Sequence, residues 1–246
     1  VKLDGECPLC ALRRKLELGE VERYLGASVM EPDTRVQVNE KGFCARHQVM
    51  LFAAGNRLGH ALMLHTHLKE TEKRLEKPLE KAQKAAKTYT DSSLVARLSS
   101  KGQAAKKKLE AAAADMAATA HSCILCDSLN ANMDRYVATF LHLYEHDAEF
   151  RAKLEASKGF CLPDAALLLE RCAEFLPAKL VSPFVEMIAR LTRDNLSRTE
   201  KDIEWFTLKF DYRNQDKPWN NSKDAVERTV NKLRGWCVGN EPNPKE

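Results

Sequence analysis

"CILCDSLNANMDRYVATFLHLYEH", residues 123–146, carries the fold class in its spacing. Leu129, Met133, Tyr136, Val137, Phe140, Leu141 and Tyr144 recur at three- and four-residue steps. That is one apolar stripe of an amphipathic α-helix. The alternation of period two that a half-buried strand needs is absent from it. At its head stand Cys123 and Cys126, a Cys-x-x-Cys pair. After it comes "KGFCLPD", residues 158–164, with Cys161 and Asp164.

The same arrangement occurs earlier in the chain. Cys7 and Cys10 precede Leu12, Leu16 and Leu18, which begin a similar, shorter helical stripe. "KGFCARH", residues 41–47, then repeats the second motif with Cys44 and His47. Cys10 to Cys44 is 34 positions and Cys126 to Cys161 is 35. Gaps matched to within one residue make an internal duplication the natural reading.

Composition agrees with helix. The 246 residues are 44% hydrophobic and 30% charged, with only 10 Gly and 9 Pro. Ala, Leu, Lys and Glu are strong helix formers, and scarce turn residues argue against a turn-rich β protein. The expected fold is all-α: two duplicated helical units, each with a Cys-rich metal site, joined by a basic helical insert. The expected divisions are 1–77, 78–120 and 121–246.

Within them, the helix after Cys44 is expected to run to about Lys77 and to break or kink at Pro78. "TRVQV", residues 34–38, is the one candidate strand. After Pro163 the chain reads as helix with interruptions at Pro177 and Pro183. In the insert, Asp91 is a candidate N-cap and Gly102 a candidate stop. The last helix is expected to start near Ser222 and to stop at Gly235.

No stretch of ~20 apolar residues exists, so no membrane span is expected. Residues 1–10 carry no apolar signal core, and a cytoplasmic location is expected. The net charge of +4 is too small to argue for nucleic acid. Residues 69–110 hold twelve Lys or Arg against six Asp or Glu. Without interleaved aromatic residues, this reads as a solvated helix face rather than a nucleic-acid surface.

The cysteines carry the chemistry. Clustered Cys-x-x-Cys pairs outside a secreted context mean metal or redox chemistry. A closed structural zinc site takes four ligands, commonly thiolates with His. Cys7, Cys10, Cys44 and His47 supply such a set, and Cys123, Cys126, Cys161 and Asp164 supply its counterpart. In the second set the fourth donor is open. Asp164 can ligate through its carboxylate; His121, His142 or His146 can substitute; or water can complete an open site. Lys158 and Arg171 are near enough in sequence to offset the extra negative charge of Asp164.

A thioredoxin-like pair would want a βαβ context, and haem attachment would want His directly after the second Cys. Neither is present. An iron–sulfur cluster is the alternative to two Zn²⁺ ions. The favoured role is non-catalytic: a metal-stapled helical protein that presents a surface to a protein partner. The alternative is a thiol-redox protein whose second site is open and reactive.

Other motifs read as ordinary structure. "HLYEH", His142–His146, matches the inverted zincin pattern but sits in a plain amphipathic helix. His60, His65 and His67 read as partly buried or surface histidines. In "KFDYRNQDKPW", residues 209–219, Asp211 and Arg213 read as caps and Trp219 as a hydrophobic plug.

The chain resembles an uncharacterised family of proteins from anaerobic Gram-positive bacteria. The resemblance rests on Cys7-x-x-Cys10, on Gly42-Phe43-Cys44-x-x-His47, on "HDAEFRAKLEASKGFC" (residues 146–161) and on "KFDYRNQDKPWNNSKDAVERTVNKL" (residues 209–233). It covers most of the chain. It implies a duplicated Cys-rich helical protein whose second Gly-Phe-Cys-x-x motif generally ends in His, so Asp164 is a departure. It supplies no activity.

Overall fold

The computed structural model describes residues 3, 5–90 and 100–239, Lys101 by its backbone alone. Ten α-helices and two short 3-10 turns fill these residues, and no strand occurs among them. The helices are α1 (Pro8–Leu25), α2 (Pro32–Lys41), α3 (Ala45–Ala53), α4 (Arg57–Thr90) and α5 (Ser100–His121). They continue with α6 (Ile124–His146), α7 (Ala148–Glu155), α8 (Leu162–Phe175), α9 (Ala178–Leu208) and α10 (Ala225–Arg234). The all-α expectation holds.

The chain forms two compact units. One comprises residues 1–16 and 131–246, the other residues 17–130. This division does not follow the boundaries expected at residues 77 and 120. Each unit combines parts of both halves of the sequence, because α1 and α6 each begin in one unit and end in the other.

In the unit of residues 1–16 and 131–246, the stripe on α6 supplies Met133, Val137, Phe140, Leu141 and Tyr144, all buried. Tyr136, expected on the same stripe, is 37% exposed. Helix α9 answers with Phe184, Met187, Ile188 and Leu191 at three- and four-residue spacing, and α8 adds Ala165, Leu168 and Cys172. Leu3, Cys7, Leu9 and Cys10 complete the core from the N-terminal segment. Pro183 lies inside α9, five residues from its start, so the interruption expected there does not occur. As a proline it cannot donate the helical bond to the carbonyl four residues before it. Pro177 is the N-cap of α9.

In the unit of residues 17–130, α4 and α5 form an antiparallel pair. Ala85 and Ala105 are buried where Lys81, Lys84 and Thr88 flank Ala104 and Lys108. Leu75 and Pro78 line the same groove as Asp115 and Ala118 farther along. Two expectations are corrected here. Pro78 does not end the helix: α4 runs through it to Thr90. The break falls earlier, after Ala53. There Gly55 takes φ +89°, and Asn56 caps α4 by accepting from the Gly59 N–H at 2.9 Å. Gly102 lies within α5 rather than stopping a helix. The expected cap at Asp91 lies outside the described residues.

"TRVQV" is likewise helical, within α2. Pro32 occupies the first turn of that helix, where it loses no hydrogen bond. Arg35 then ties α2 to α4 by donating to the Leu62 carbonyl and Thr66 Oγ1, both at 2.9 Å. Tertiary bonding of this kind overrides the β preference of Val and Thr. The last helix, α10, starts after Asp224 rather than Ser222 and stops at Gly235, φ +81°.

Candidate metal centres

All four Cys-x-x motifs have one local design. Each begins on the cysteine just before a helix, and its second donor is the third helical residue. Cys7, Cys44, Cys123 and Cys161 precede α1, α3, α6 and α8. Their carbonyls accept the first helical bonds, from Ala11, Gln48, Asp127 and Ala165 at 2.9–3.2 Å. Cys10, His47, Cys126 and Asp164 follow one turn on. The positive end of a helix dipole favours a thiolate at this place.

The two Gly-Phe-Cys motifs share a backbone. Gly42 has φ +61° and Gly159 φ +66°, a region that favours glycine. A side chain on Gly42 would meet His67 Nε2 at 2.4 Å; on Gly159 it would meet Leu191 Cβ at 3.2 Å. The adjoining Phe43 packs edge-on against Tyr24 at 5.4 Å, and Phe160 against Phe140 at 5.5 Å. Tyr24 and Phe140 each stand fourteen residues after the second Cys of their Cys-x-x-Cys pair.

All eight expected donors gather into two groups, but the sets are exchanged between the halves. Cys7 and Cys10 meet Cys161 and Asp164; Cys44 and His47 meet Cys123 and Cys126. The expected pairing of Cys7 and Cys10 with Cys44 and His47 is therefore corrected, as is that of Cys123 and Cys126 with Cys161 and Asp164. Unequal helix lengths accompany this exchange. Helix α1 has 18 residues and α2 only 10, about 27 Å against about 15 Å. The helix that leaves Cys10 is thus about 12 Å longer than the one that leads to Cys44. In the second half α6 has 23 residues and α7 has 8, about 35 Å against about 12 Å.

The aspartate centre, Cys7, Cys10, Cys161 and Asp164, is buried at every donor, from 1% to 6% exposed. The Sγ atoms of Cys7 and Cys10 lie 3.7 and 3.5 Å from Cys161 Sγ, and 3.1 and 3.3 Å from Asp164 Oδ2. Burial, with Cys10 and Asp164, pushes the Cys7 thiol well up against the opposing pull of Cys161. Sharing with Cys161 does the same to Cys10, burial and Asp164 adding to it. For Cys161, contact with Cys10 pulls the other way, but Cys7, burial and Asp164 outweigh it and the thiol is raised. Acidic groups packed this closely out of water need a cation among them to ionise. The Trp236 backbone N–H donates to Cys10 Sγ at 3.3 Å.

The histidine centre comprises Cys44, His47, Cys123 and Cys126. His47 Nδ1 faces the sulfurs, 3.3 Å from Cys44, 3.2 Å from Cys123 and 3.4 Å from Cys126. Cys44 Sγ is 3.7 Å from Cys126 Sγ. The other ring nitrogen, Nε2, lies 3.2 Å from Glu17 Oε1. Glu17 is 3% exposed and is gripped by the Arg46 fork at 2.7 and 2.9 Å. A carboxylate on the far nitrogen fixes the tautomer that turns Nδ1 towards a metal. Burial opposes charge on both His47 and Cys123. Their mutual contact wins: the imidazole is drawn up and the thiol down, Glu17 and backbone N–H groups assisting. Cys44 and Cys126 are half-buried, so this centre is nearer solvent than the other.

The remaining expected residues stay outside both groups. His142 and His146 stack on each other on α6, ring centroids 4.2 Å apart. His121 is exposed at the end of α5. His60 accepts or donates to Gln48 at 2.7 Å, and His67 lies 3.0 Å from the Asn39 carbonyl. Lys158 and Arg171 pair with Glu6 and Glu174, at 3.4 and 3.3 Å. Asp211 caps a 3-10 turn by accepting from the Arg213 N–H, and Trp219 packs on Phe206.

Two outer residues were not picked out from the sequence, Glu17 and Lys232. Glu17 had a usable signal. It stands seven residues after Cys10, where the other half has Met133 seven after Cys126. A charge at a position that is apolar at the same spacing in the other half marks a polar partner.

Fold and donors together define an all-α protein with two cysteine-rich groups suited to holding metal ions. The model of a family of unknown function, DUF6062, matches residues 1–240, and the chain belongs to that family. No curated protein and no solved structure matches it. Among the described residues, no helix is long and apolar enough to cross a membrane.

Proposed function

We propose that the protein binds two zinc ions, one in each centre, and that they serve as structural staples for a helical protein that docks a partner. The observation that carries this is the closeness of the donors. In each group the four ligand atoms lie within 4.8 Å of one another. Tetrahedral zinc with Zn–S of about 2.3 Å puts neighbouring sulfurs roughly 3.8 Å apart. The closest sulfur pairs, at 3.5–3.7 Å, are near that edge.

The second reading, an iron–sulfur protein, is less well supported by this spacing. In a cluster, thiolates on different irons are held apart by bridging sulfide. The donors here are grouped as ligands of a single ion. Asp164 stands as a fourth donor beside Cys7, Cys10 and Cys161, which argues against an open reactive site. An internal duplication accounts for the matched backbones of the two motifs. All eight thiols are unpaired, in keeping with a reducing, cytoplasmic setting.

Metal analysis of the full chain purified without oxygen tests the proposal. The expected result is a colourless protein with about two zinc ions per chain, whose melting temperature falls on chelation under reducing conditions. Visible charge-transfer absorption with iron and sulfide would favour the cluster reading. Melting that is unchanged after verified metal removal would refute the structural role.

A further inference from the structure

Each centre has one buried charged residue outside its donor set, and the signs are opposite. Beside the histidine centre it is Glu17. Beside the aspartate centre it is Lys232, 3% exposed. Lys232 Nζ donates to the Glu6 and Lys158 carbonyls, both at 2.8 Å. These carbonyls belong to the residues just before Cys7 and just before Gly159. One ammonium from α10 thus ties together the two segments that carry the donors.

The Glu6 carboxylate, 3.7 Å from Lys232 Nζ, is also held by Arg198 and Lys158. Lys232 is thus one of three cations on Glu6, and two remain on that carboxylate without it. Burial pulls the ammonium below its ordinary value, and Glu6, Cys7 and Cys161 hold it up.

Resting on the metal reading above, we propose that Lys232 is the positioning and charge-matching residue that lets the aspartate centre use Asp164 where the histidine centre uses His47. Three thiolates, a carboxylate and Zn²⁺ sum to −2, one charge more negative than the set with neutral His. A buried ammonium returns the aspartate centre to −1. At the histidine centre the ring N–H needs an acceptor, and Glu17 supplies it. Asp164 has no such N–H, and the place matching Glu17 holds Met133. Fourth donor and outer charge form matched pairs: His with a carboxylate, Asp with an ammonium.

The test is a double-mutant cycle on the full chain with Asp164→His, Lys232→Met and both together. The cadmium-substituted protein gives each centre its own NMR resonance, and chelator competition read at that resonance gives each affinity. Lys232→Met is expected to weaken the aspartate centre about 10- to 100-fold, the usual reach of an outer-shell residue. Asp164→His alone, which strands the ammonium, is expected to weaken it about tenfold. The double variant is expected to recover most of the loss, a coupling that a packing defect would not give. The histidine centre should be unchanged throughout.

Losses that simply multiply in the double variant, or a Lys232→Met centre as tight as the original, would overturn the proposal. If Lys232→Met does not fold, Asp164→His decides: a centre as tight as or tighter than the unmodified one would overturn it. An unmodified chain that loads only the histidine centre refutes the metal reading at Asp164 itself, and this inference with it.

Discussion

Two double variants distinguish the exchanged donor sets from the contiguous ones. Cys10→Ser with Cys161→Ser removes two donors that lie 3.5 Å apart in one centre. A Cys and an Asp are left there, fewer than the four ligands a structural site needs, while the histidine centre keeps its full set. Cys10→Ser with Cys44→Ser instead takes one donor from each centre. A structural zinc site is worth about 10–16 kcal/mol of apparent binding free energy, comparable to a whole domain's stability of about 5–15 kcal/mol. Losing a centre should therefore be visible both as missing metal and as an early unfolding step. Native mass spectrometry under reducing conditions counts the metal, and thermal unfolding followed by circular dichroism reports the step. The expected outcome is that Cys10→Ser/Cys161→Ser gives up one ion and holds the other firmly. Cys10→Ser/Cys44→Ser should weaken both centres, so both ions are lost to a modest chelator. The reverse pattern, with the first variant losing both ions and the second only one, would restore the contiguous pairing and refute the structure.

Further predictions concern the surroundings of the donors. Glu17→Ala should weaken metal binding at the histidine centre about 10- to 100-fold and leave the aspartate centre intact, as read by chelator competition; equal loss at both centres would contradict the assigned contact. Gly42→Ala should destabilise more than Gly159→Ala. Both sites need φ above +60°, but only at Gly42 would the new methyl overlap a side chain at 2.4 Å; chemical denaturation of the two variants checks the order. For Glu6, burial raises the carboxyl, yet Arg198, Lys232 and Lys158 together hold it below its ordinary 4.5. Its stabilising effect is therefore complete above that value and is lost as pH falls through the lower folded-state value. Stability measured from pH 5 down to about 3 should fall less steeply in Glu6→Gln than in the unmodified protein.

Much of the molecule is legible in its sequence because the forces involved are local. The stripe from Leu129 to Tyr144 needs only the helical period. Gly42 and Gly159 stand where a left-handed turn precedes an N-cap cysteine, and Gly235 stops α10 as its position suggests. Local signals misled where tertiary contacts won. Pro78 is carried inside α4, along whose length α5 packs. "TRVQV" is a helix because Pro32 starts one and Arg35 anchors it to α4.

The eight candidate donors and the helices they begin are legible from the sequence alone, since each depends on neighbours within one turn. Which of these residues meet is a matter of tertiary packing. Partnership depends on how far α1 and α6 carry the chain before α2 and α7 turn it, and equal spacing in the two halves is compatible with either pairing. The same holds for Glu17 and Lys232. Each lies in a different part of the chain from the donors it supports, Glu17 30 residues before His47 and Lys232 226 residues after Glu6. Folding alone brings a carboxylate to the histidine and an ammonium to the centre of Asp164.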